Sequence, residues 1–287
     1  MLVLTMAWGL QQVAVKIAAP TVPLAAQAAI RSAAAMVLII AWSRWRGVAL
    51  FERGEAGPGL VAGLLFGGEF ALLYLGLGQT TAARMVVLMY VAPALTALGA
   101  ALFLPGEHLS ARQWSGIAVA FAGTVFAFAE GLDAPGRPTL AGDAMALAAA
   151  LLWAATTVLI RATPLSRAQP ARVLNYQLAV SAVMLGALSY ALGESWAIAP
   201  SPAAWASLAY QIVCVAFASY LAWFWLLTRY LASRLAVFTF ATPLFGVAFA
   251  HGVLDESIGG RFAAAAVLVA AGIALVNAGA PAKRAGS

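Results

Sequence analysis

Long apolar runs alternate along the chain with short clusters of Pro, Gly and charged residues. Within the runs the hydrophobic positions show no two-residue alternation, and they fall on every side of a helical turn. Such a segment suits a helix whose whole circumference meets apolar surroundings. A helix that crosses a bilayer needs about 20 mostly apolar residues at about 1.5 Å of rise each. The pattern predicts ten of them, at 2–19, 24–43, 58–78, 82–104, 111–129, 140–161, 172–192, 204–227, 233–253 and 260–279. The breaks carry turn chemistry: "APTVP" at 19–23, "RGEAGPG" at 53–59, "PGE" at 105–107, "DAPGRP" at 133–138 and "APSPA" at 199–203. Pro and Gly stop helices there for steric reasons. Ser110 and Gln113 have the spacing of a capping box that opens the fifth helix. The segments are about twice the length of a barrel strand, which argues against a transmembrane β-barrel.

The ten segments fall into two sets of five. Arg84 and Pro93 recur as Arg234 and Pro243, 150 residues later. Glu107, Arg112 and Gly123 recur as Glu256, Arg261 and Gly272 at an offset of 149, and Trp8 and Lys16 as Trp153 and Arg161 at 145. We read a first repeat at 1–130, a linker at 131–138, a second repeat at 139–280 and a tail at 281–287. Five helices are an odd number, so the halves must run in opposite senses through the bilayer. The expected fold is an all-α polytopic membrane protein, with ten helices as two inverted five-helix repeats around a central cavity. Inverted repeats mark secondary transporters, whose substrate site lies near mid-depth between the halves.

Composition narrows the alternatives. Hydrophobic residues make up 64% of the 287 and charged residues only 9%, against about 25% charged in a soluble domain. The mean hydropathy is +0.93. A net charge of +6 would suit nucleic acid if it formed a basic stripe, but the Lys and Arg residues stand singly between apolar segments. Eleven of them fall at inner loops, inner helix ends and the tail, and five at the outer side, which places both termini in the cytoplasm. The apolar run from Leu2 has no basic region before it. It reads as a true span rather than a cleavable leader, and its abrupt start leaves the native N-terminus open. The single cysteine, Cys214, excludes a disulfide framework and reads as a small core residue.

Two five-helix halves, each with a Pro in its fourth helix, an acidic "GEHLS" or "DESIG" knuckle and a late Gly in its fifth, resemble the EamA repeats of the drug/metabolite transporter superfamily. The stretch "GGEFALLYLGLGQTTAARMVVLMYVAP" at 67–93 is similar to the YddG-type aromatic amino acid exporters, with Glu69 and Tyr90 in the places of their acidic residue and tyrosine. The resemblance implies a ten-helix basket and export of metabolites, here amino acids with aromatic or apolar side chains, from a bacterial inner membrane. Export of lipophilic cations is the alternative. Small multidrug members of the superfamily use a first-helix Glu for proton exchange. Gln11 and Gln12 stand in this first helix, which favours facilitated export and leaves coupling through Glu69 open.

Glu69 is the one acidic side chain near the middle of a predicted span. An ionisable group at that depth is costly and usually faces a cavity or a partner. It could meet a substrate ammonium or carry a proton, or form a structural pair with Arg31. At about 1.5 Å per residue, Arg31 lies about 10 Å and Glu69 about 13 Å from the outer helix ends. Trp8, Tyr74, Tyr90, Trp153, Tyr220 and Trp223 lie deep enough to wall a cavity, or else to face lipid. Gln12 and Thr157 follow Trp8 and Trp153 by one turn and could bond a zwitterion. Asn175 and Gln177 are weaker candidates. Pro93 and Pro243 interrupt helices and read as hinges or static kinks. Lys16 and Arg161 read as snorkelling residues, although Lys16 could attract a carboxylate. Arg84 and Arg234 read as topology anchors, and His251 as an interfacial polar group. Trp42, Trp45, Trp114, Trp196 and Trp205 fit an interfacial belt. "GLLFGG" at 63–68 and "GVAFAHG" at 246–252 suit close helix packing. No phosphate loop, metal spacing or catalytic triad is present in the sequence. We therefore expect no enzyme activity, cofactor or metal. The expected partners are a small-molecule substrate and the lipid bilayer, without nucleic acid, for a monomer with a dimer left open.

Overall fold

The computed structural model describes residues 1–104, 109–133, 138–229 and 241–278. Expectations for Glu107, Arg137, Arg234, Lys283, Arg284, linker residues 134–137, the tail and the start of the ninth span lie outside the described residues. The helices are α1 (Leu2–Ala18), α2 (Leu24–Trp45), α3 (Ala56–Leu77), α4 (Ala82–Met89), α5 (Ala92–Phe103), α6 (Ala111–Asp133), α7 (Pro138–Ala162), α8 (Pro170–Ala191), α9 (Pro202–Ala209), α10 (Tyr220–Arg229), α11 (Ala241–Leu254) and α12 (Gly260–Ala278). Among the described residues they form ten rods, because α4 and α5 share the fourth span and α9 and α10 share the eighth. Six helices are long and apolar enough to cross a membrane, and Leu2–Ala18, Thr242–Leu254 and Ala263–Gly272 are shorter apolar pieces. The outer surface carries large apolar side chains such as Val37, Leu60, Leu151, Val183 and Val267. Water would penalise that surface and lipid does not.

Two spans depart from a plain α helix. The fourth breaks at Tyr90 and Val91, just before Pro93 near the start of α5. Proline has no N–H, so the Met89 carbonyl loses its helical donor. The Val91 N–H closes instead on the Leu88 carbonyl at 3.3 Å, a tighter turn. The eighth span runs through a π-helical stretch, Tyr210–Ser219, between α9 and α10. Ser207, Gln211, Val215 and Ser219 are all buried, at four-residue spacing. An α helix rotates such a stripe by about 40° per step. The wider turn keeps it aligned.

The packing pattern respects the duplication. The fifth span packs along the tenth, the second along the seventh and the fourth against the ninth. Exchanging the halves maps each of these pairs onto itself. It also maps the contacts of span 3 with 6 onto 8 with 1, of 3 with 7 onto 8 with 2, and of 4 with 6 onto 9 with 1, and all of these are made. The repeated glycines explain the closest crossing. A Cβ on Gly123 would stand 2.8 Å from the Val269 nitrogen of α12, and one on Gly272 would stand 2.3 Å from the Ala120 nitrogen of α6. Gly63 and Gly246 of the two small-residue stretches likewise press on Val180 and Val86, whereas Gly252 faces open space. Every residue of α4 is buried, so this helix sits at the centre of the bundle.

Acidic residues tie the helix ends together. Asp255 turns the chain with a left-handed φ of 53°, which Asp tolerates better than most residues. Glu256 then accepts the N–H groups of Ala82 (2.8 Å) and Ala83 (3.0 Å) at the start of α4, with the Lys16 ammonium 3.8 Å away. Glu194 accepts Ala25 (3.1 Å), Ala26 (2.8 Å) and the Ser189 hydroxyl (2.7 Å) at the start of α2. Carboxylates at helix N-termini meet both orphan donors and the positive dipole end. At the opposite end, Arg172 pairs with Glu52 and with Glu55 and donates to the Ala49 carbonyl. Ser110 and Gln113 make the expected capping box. The exposed Trp45, Trp114, Trp196 and Trp205 suit the interfacial belt.

Arg84, read as a topology anchor, is buried, and one expectation, a core Cys214, needs correcting. The Nε of Arg84 donates to both oxygens of Asp143 at 3.1 and 3.0 Å, and its Nη2 bonds Oδ2. The Thr80 hydroxyl completes that carboxylate at 2.7 Å. Cys214 is exposed. In a bilayer an apolar residue need not be buried, because lipid solvates it.

Candidate functional site

Polar groups gather where the second, third and eighth spans meet. The first turns of α2 are alanines, with Ala25, Ala26, Ala28 and Ala29 all buried, so neighbouring helices approach closely. Arg31 follows them and is fully enclosed at 0% exposure. Its guanidinium carbon lies 4.1 Å over the Phe70 ring, and its Nη2 donates to the Tyr220 hydroxyl at 3.3 Å. Nε and Nη1 have no partner. Glu69 precedes Phe70 on α3 and is 5% exposed. It stands within electrostatic reach of Arg31, Tyr90 and Tyr220. Among the described residues, neither Glu69 nor Arg31 makes an ion pair, with each other or with another side chain. The pairing that their shared depth allowed is not formed.

Beside this cluster runs a satisfied network. The Tyr74 hydroxyl donates to Gln211 Oε1 at 2.5 Å, and Gln211 Nε2 donates to Gln27 Oε1 at 2.8 Å and Ser207 Oγ at 3.0 Å. The Ser207 hydroxyl in turn reaches the Ala14 carbonyl. Tyr74 thus has a protein partner for its one polar atom and is wholly buried.

The remaining aromatics form two edge-to-face pairs. Trp8 meets Trp223 at 5.5 Å between centroids and 75°, and its Nε1 donates to the Ser219 hydroxyl at 2.8 Å. Trp153 meets Tyr90 at 5.6 Å and 83°. The first pair is tied to Ser219, the neighbour of Tyr220 in the chain, and Tyr90 of the second lies within electrostatic reach of Glu69 and Tyr220. Gln12 is buried with Oε1 unpartnered. Thr157 spends its hydroxyl on the Trp153 carbonyl at 3.0 Å. Pro93 stands at the break described above, and Pro243 is buried in the first turn of α11.

The family model described as "EamA-like transporter family" matches residues 1–129 and again residues 140–278. The chain belongs to the EamA-like transporter family. An Archaeoglobus fulgidus protein described as an uncharacterized transporter is 28% identical to it over 251 residues, which is 84% of this chain and 83% of that one. A protein crystal structure superposes with a TM-score of 0.69 over 95% of this chain and 94% of its own, at 24% identity, a likeness of fold.

In this EamA-like transporter the structure brings Glu69, Tyr90, Tyr220, Trp8, Trp153 and Trp223 to one continuous region and engages Tyr74 and Thr157 in protein hydrogen bonds. Sequence reasoning did not place Phe70, Gln27 and Gln211 there, and gave Arg31 only a partner's role. The run around Arg31, apolar but for Gln27 and Ser32, was the available signal, since a guanidinium in such a run needs a counter-charge. A separate groove of about 300 Å³ lies between α1 and the eighth span, lined by Leu10, Ala14, Ile17, Ala203, Ala206, Ser207 and Tyr210. Its lining offers no charge, so it does not share the chemistry of the Arg31 cluster.

Proposed function

We propose that this transporter exports amino acids with aromatic or apolar side chains, by alternating access of a central cavity between its two repeats. In this reading it lies in a bacterial inner membrane with both termini in the cytoplasm, works as a monomer, and draws on gradients. The observation that carries the reading is the cluster of Glu69 and Arg31, buried, without counter-ions and flanked by aromatic pairs. Buried charges are normally paired, and two that are not, inside a transporter, suit a ligand. The two repeats supply related inward-open and outward-open states. Export of lipophilic cations is the second reading. It is favoured by Glu69 standing near the phenols of Tyr90 and Tyr220 without an ion pair. The test is efflux of labelled phenylalanine, tryptophan, leucine and a lipophilic cation from proteoliposomes, with and without a pH gradient. Protein-dependent efflux of phenylalanine or tryptophan is the expected result. Efflux of the cation alone selects the second reading, and no flux of any of them removes both.

A further inference from the structure

Among the described residues Arg31 is the largest fully buried side chain, and what it lacks is informative. A guanidinium carries five N–H donors in a planar fork. Here one nitrogen reaches one phenol at 3.3 Å, the ring of Phe70 covers one face, and Nε and Nη1 donate to nothing. The other enclosed arginines behave differently. Arg84 wraps Asp143 with Nε and Nη2, and Arg172 holds Glu52, Glu55 and a backbone carbonyl. Bilayer depth makes the contrast sharper, since an unpaired cation there costs more than one at a helix end. Glu69, on α3, stands within electrostatic reach of Arg31 and does not close on it.

We propose that Arg31 is the receptor for a carboxylate on the substrate and Glu69 the receptor for its ammonium, so that the site selects zwitterions over amines. This deepens the amino acid reading above and rests on it. Tyr220 takes one of the two Nη2 hydrogens, so the other can act with Nε–H or with Nη1–H in two parallel hydrogen bonds to a carboxylate. Phe70 covers one face of the fork and Tyr220 holds Nη2, so the edge that remains is presented in one orientation. Glu69 supplies acceptors that a substrate ammonium can use. The buried, unpartnered Oε1 of Gln12 lies one turn beyond Trp8 on the same face of α1 and adds another acceptor. A zwitterion then completes both charges at once. An amine satisfies Glu69 and leaves the guanidinium stranded, the situation in which a polar site rejects an analogue most strongly.

The test uses the full-length transporter in lipid nanodiscs and three ligands with the same ring: L-phenylalanine, phenethylamine, which lacks the carboxylate, and 3-phenylpropionate, which lacks the ammonium. Binding is read by calorimetry. Phenethylamine should bind the wild type about 10–100-fold more weakly than phenylalanine, the range for one lost charge-assisted contact. Arg31→Met should bring phenylalanine down to the level of phenethylamine and leave phenethylamine unchanged, while Arg31→Lys should recover part of the difference. Glu69→Gln should weaken phenylalanine and phenethylamine alike and spare 3-phenylpropionate. If phenethylamine binds the wild type as tightly as phenylalanine, or if Arg31→Met weakens both equally, the inference falls while transport of ring-bearing compounds stands. If none of the three binds, the amino acid reading falls and takes the inference with it. Should Arg31→Met fail to give a monodisperse protein, the wild-type ligand series and Arg31→Lys decide alone.

Discussion

Removing the carboxylate of Asp143 tests how the two repeats are held together at one end of the bundle. Asp143 has 0% exposure and belongs to the second repeat, whereas its partners Arg84 and Thr80 belong to the first. The pair therefore crosses the seam. Asp143→Ala deletes the bonds from Arg84 Nε and Nη2 and the bond from the Thr80 hydroxyl, and takes from a buried guanidinium the carboxylate it wraps. Breaking a buried pair from one side typically costs about 3–5 kcal/mol. Arg84 sits in the first turn of α4, near one end of the bundle, and its guanidinium there can lean toward interfacial water. We therefore expect the low end, about 3 kcal/mol. Arg84→Met combined with Asp143→Ala should recover most of that loss, because an apolar replacement removes the charge along with its partner. The assay is equilibrium unfolding in mixed micelles, followed by tryptophan fluorescence, for the two single variants and the double. The reasoning is refuted if the double variant is destabilised by the sum of the singles, since the two side chains would then act independently.

The glycine crossing between the fifth and tenth spans makes a second prediction. Gly272→Val places its Cβ against backbone atoms of α6 that cannot rotate away, at 2.3 Å from Ala120 N and 2.6 Å from Gly116 O. It should cost at least about 1–3 kcal/mol and sharply reduce the yield of monodisperse protein. Gly252→Ala, with nothing within 4 Å, should leave that yield unchanged. Trp8→Ala removes the edge contact with Trp223 and the bond to Ser219. It should weaken phenylalanine binding about tenfold, from one aromatic contact of about 1.4 kcal/mol, while the exposed Trp114→Ala has no effect; calorimetry compares the two. Single cysteines at positions 53 and 167, on a background with Cys214→Ser, should both react with an impermeant thiol reagent from the cytoplasmic face alone. Labelling from opposite faces would contradict the inverted arrangement.

The spans were legible because each is a long apolar run bounded by residues that cannot continue a helix. Pro93 signalled the break at Tyr90 because a missing N–H has a local consequence. Gly123 and Gly272 were readable as a repeat, and their close packing gives that repeat a physical cause. The π-helical stretch of the eighth span was not legible, because no single residue in Tyr210–Ser219 forbids an α helix; the four-residue stripe from Ser207 to Ser219 acquires meaning only once its neighbours are in place. The Arg84–Asp143 pair was hidden for a related reason. Its members stand 59 residues apart, and helix periodicity says nothing about which distant residue a side chain will meet. Cys214 was misjudged because apolar character identifies the interior of a soluble protein and does not separate core from lipid face in a membrane one.

The duplication governs the scaffold and not the ligand chemistry. Helix pairs exchange under swapping of the halves, and Gly123 and Gly272 play matching parts at one crossing. The two charges of the proposed site follow no such rule. Arg31 and Glu69 both lie in the first half, on its second and third helices. The interiors of the seventh and eighth spans carry amides and hydroxyls instead, such as Gln177, Gln211 and Ser219. A symmetric frame suits a motion that exchanges inner and outer access, because each half must take up the arrangement the other leaves. A symmetric pair of charges would not suit a single zwitterion, which has one anionic end and one cationic end and meets the pseudo-twofold axis in one orientation. After duplication, then, selection on the fold and selection on the substrate pull in different directions. The first keeps Gly123 and Gly272 alike at one crossing, and in the proposed site the second confines the guanidinium and the carboxylate to one half.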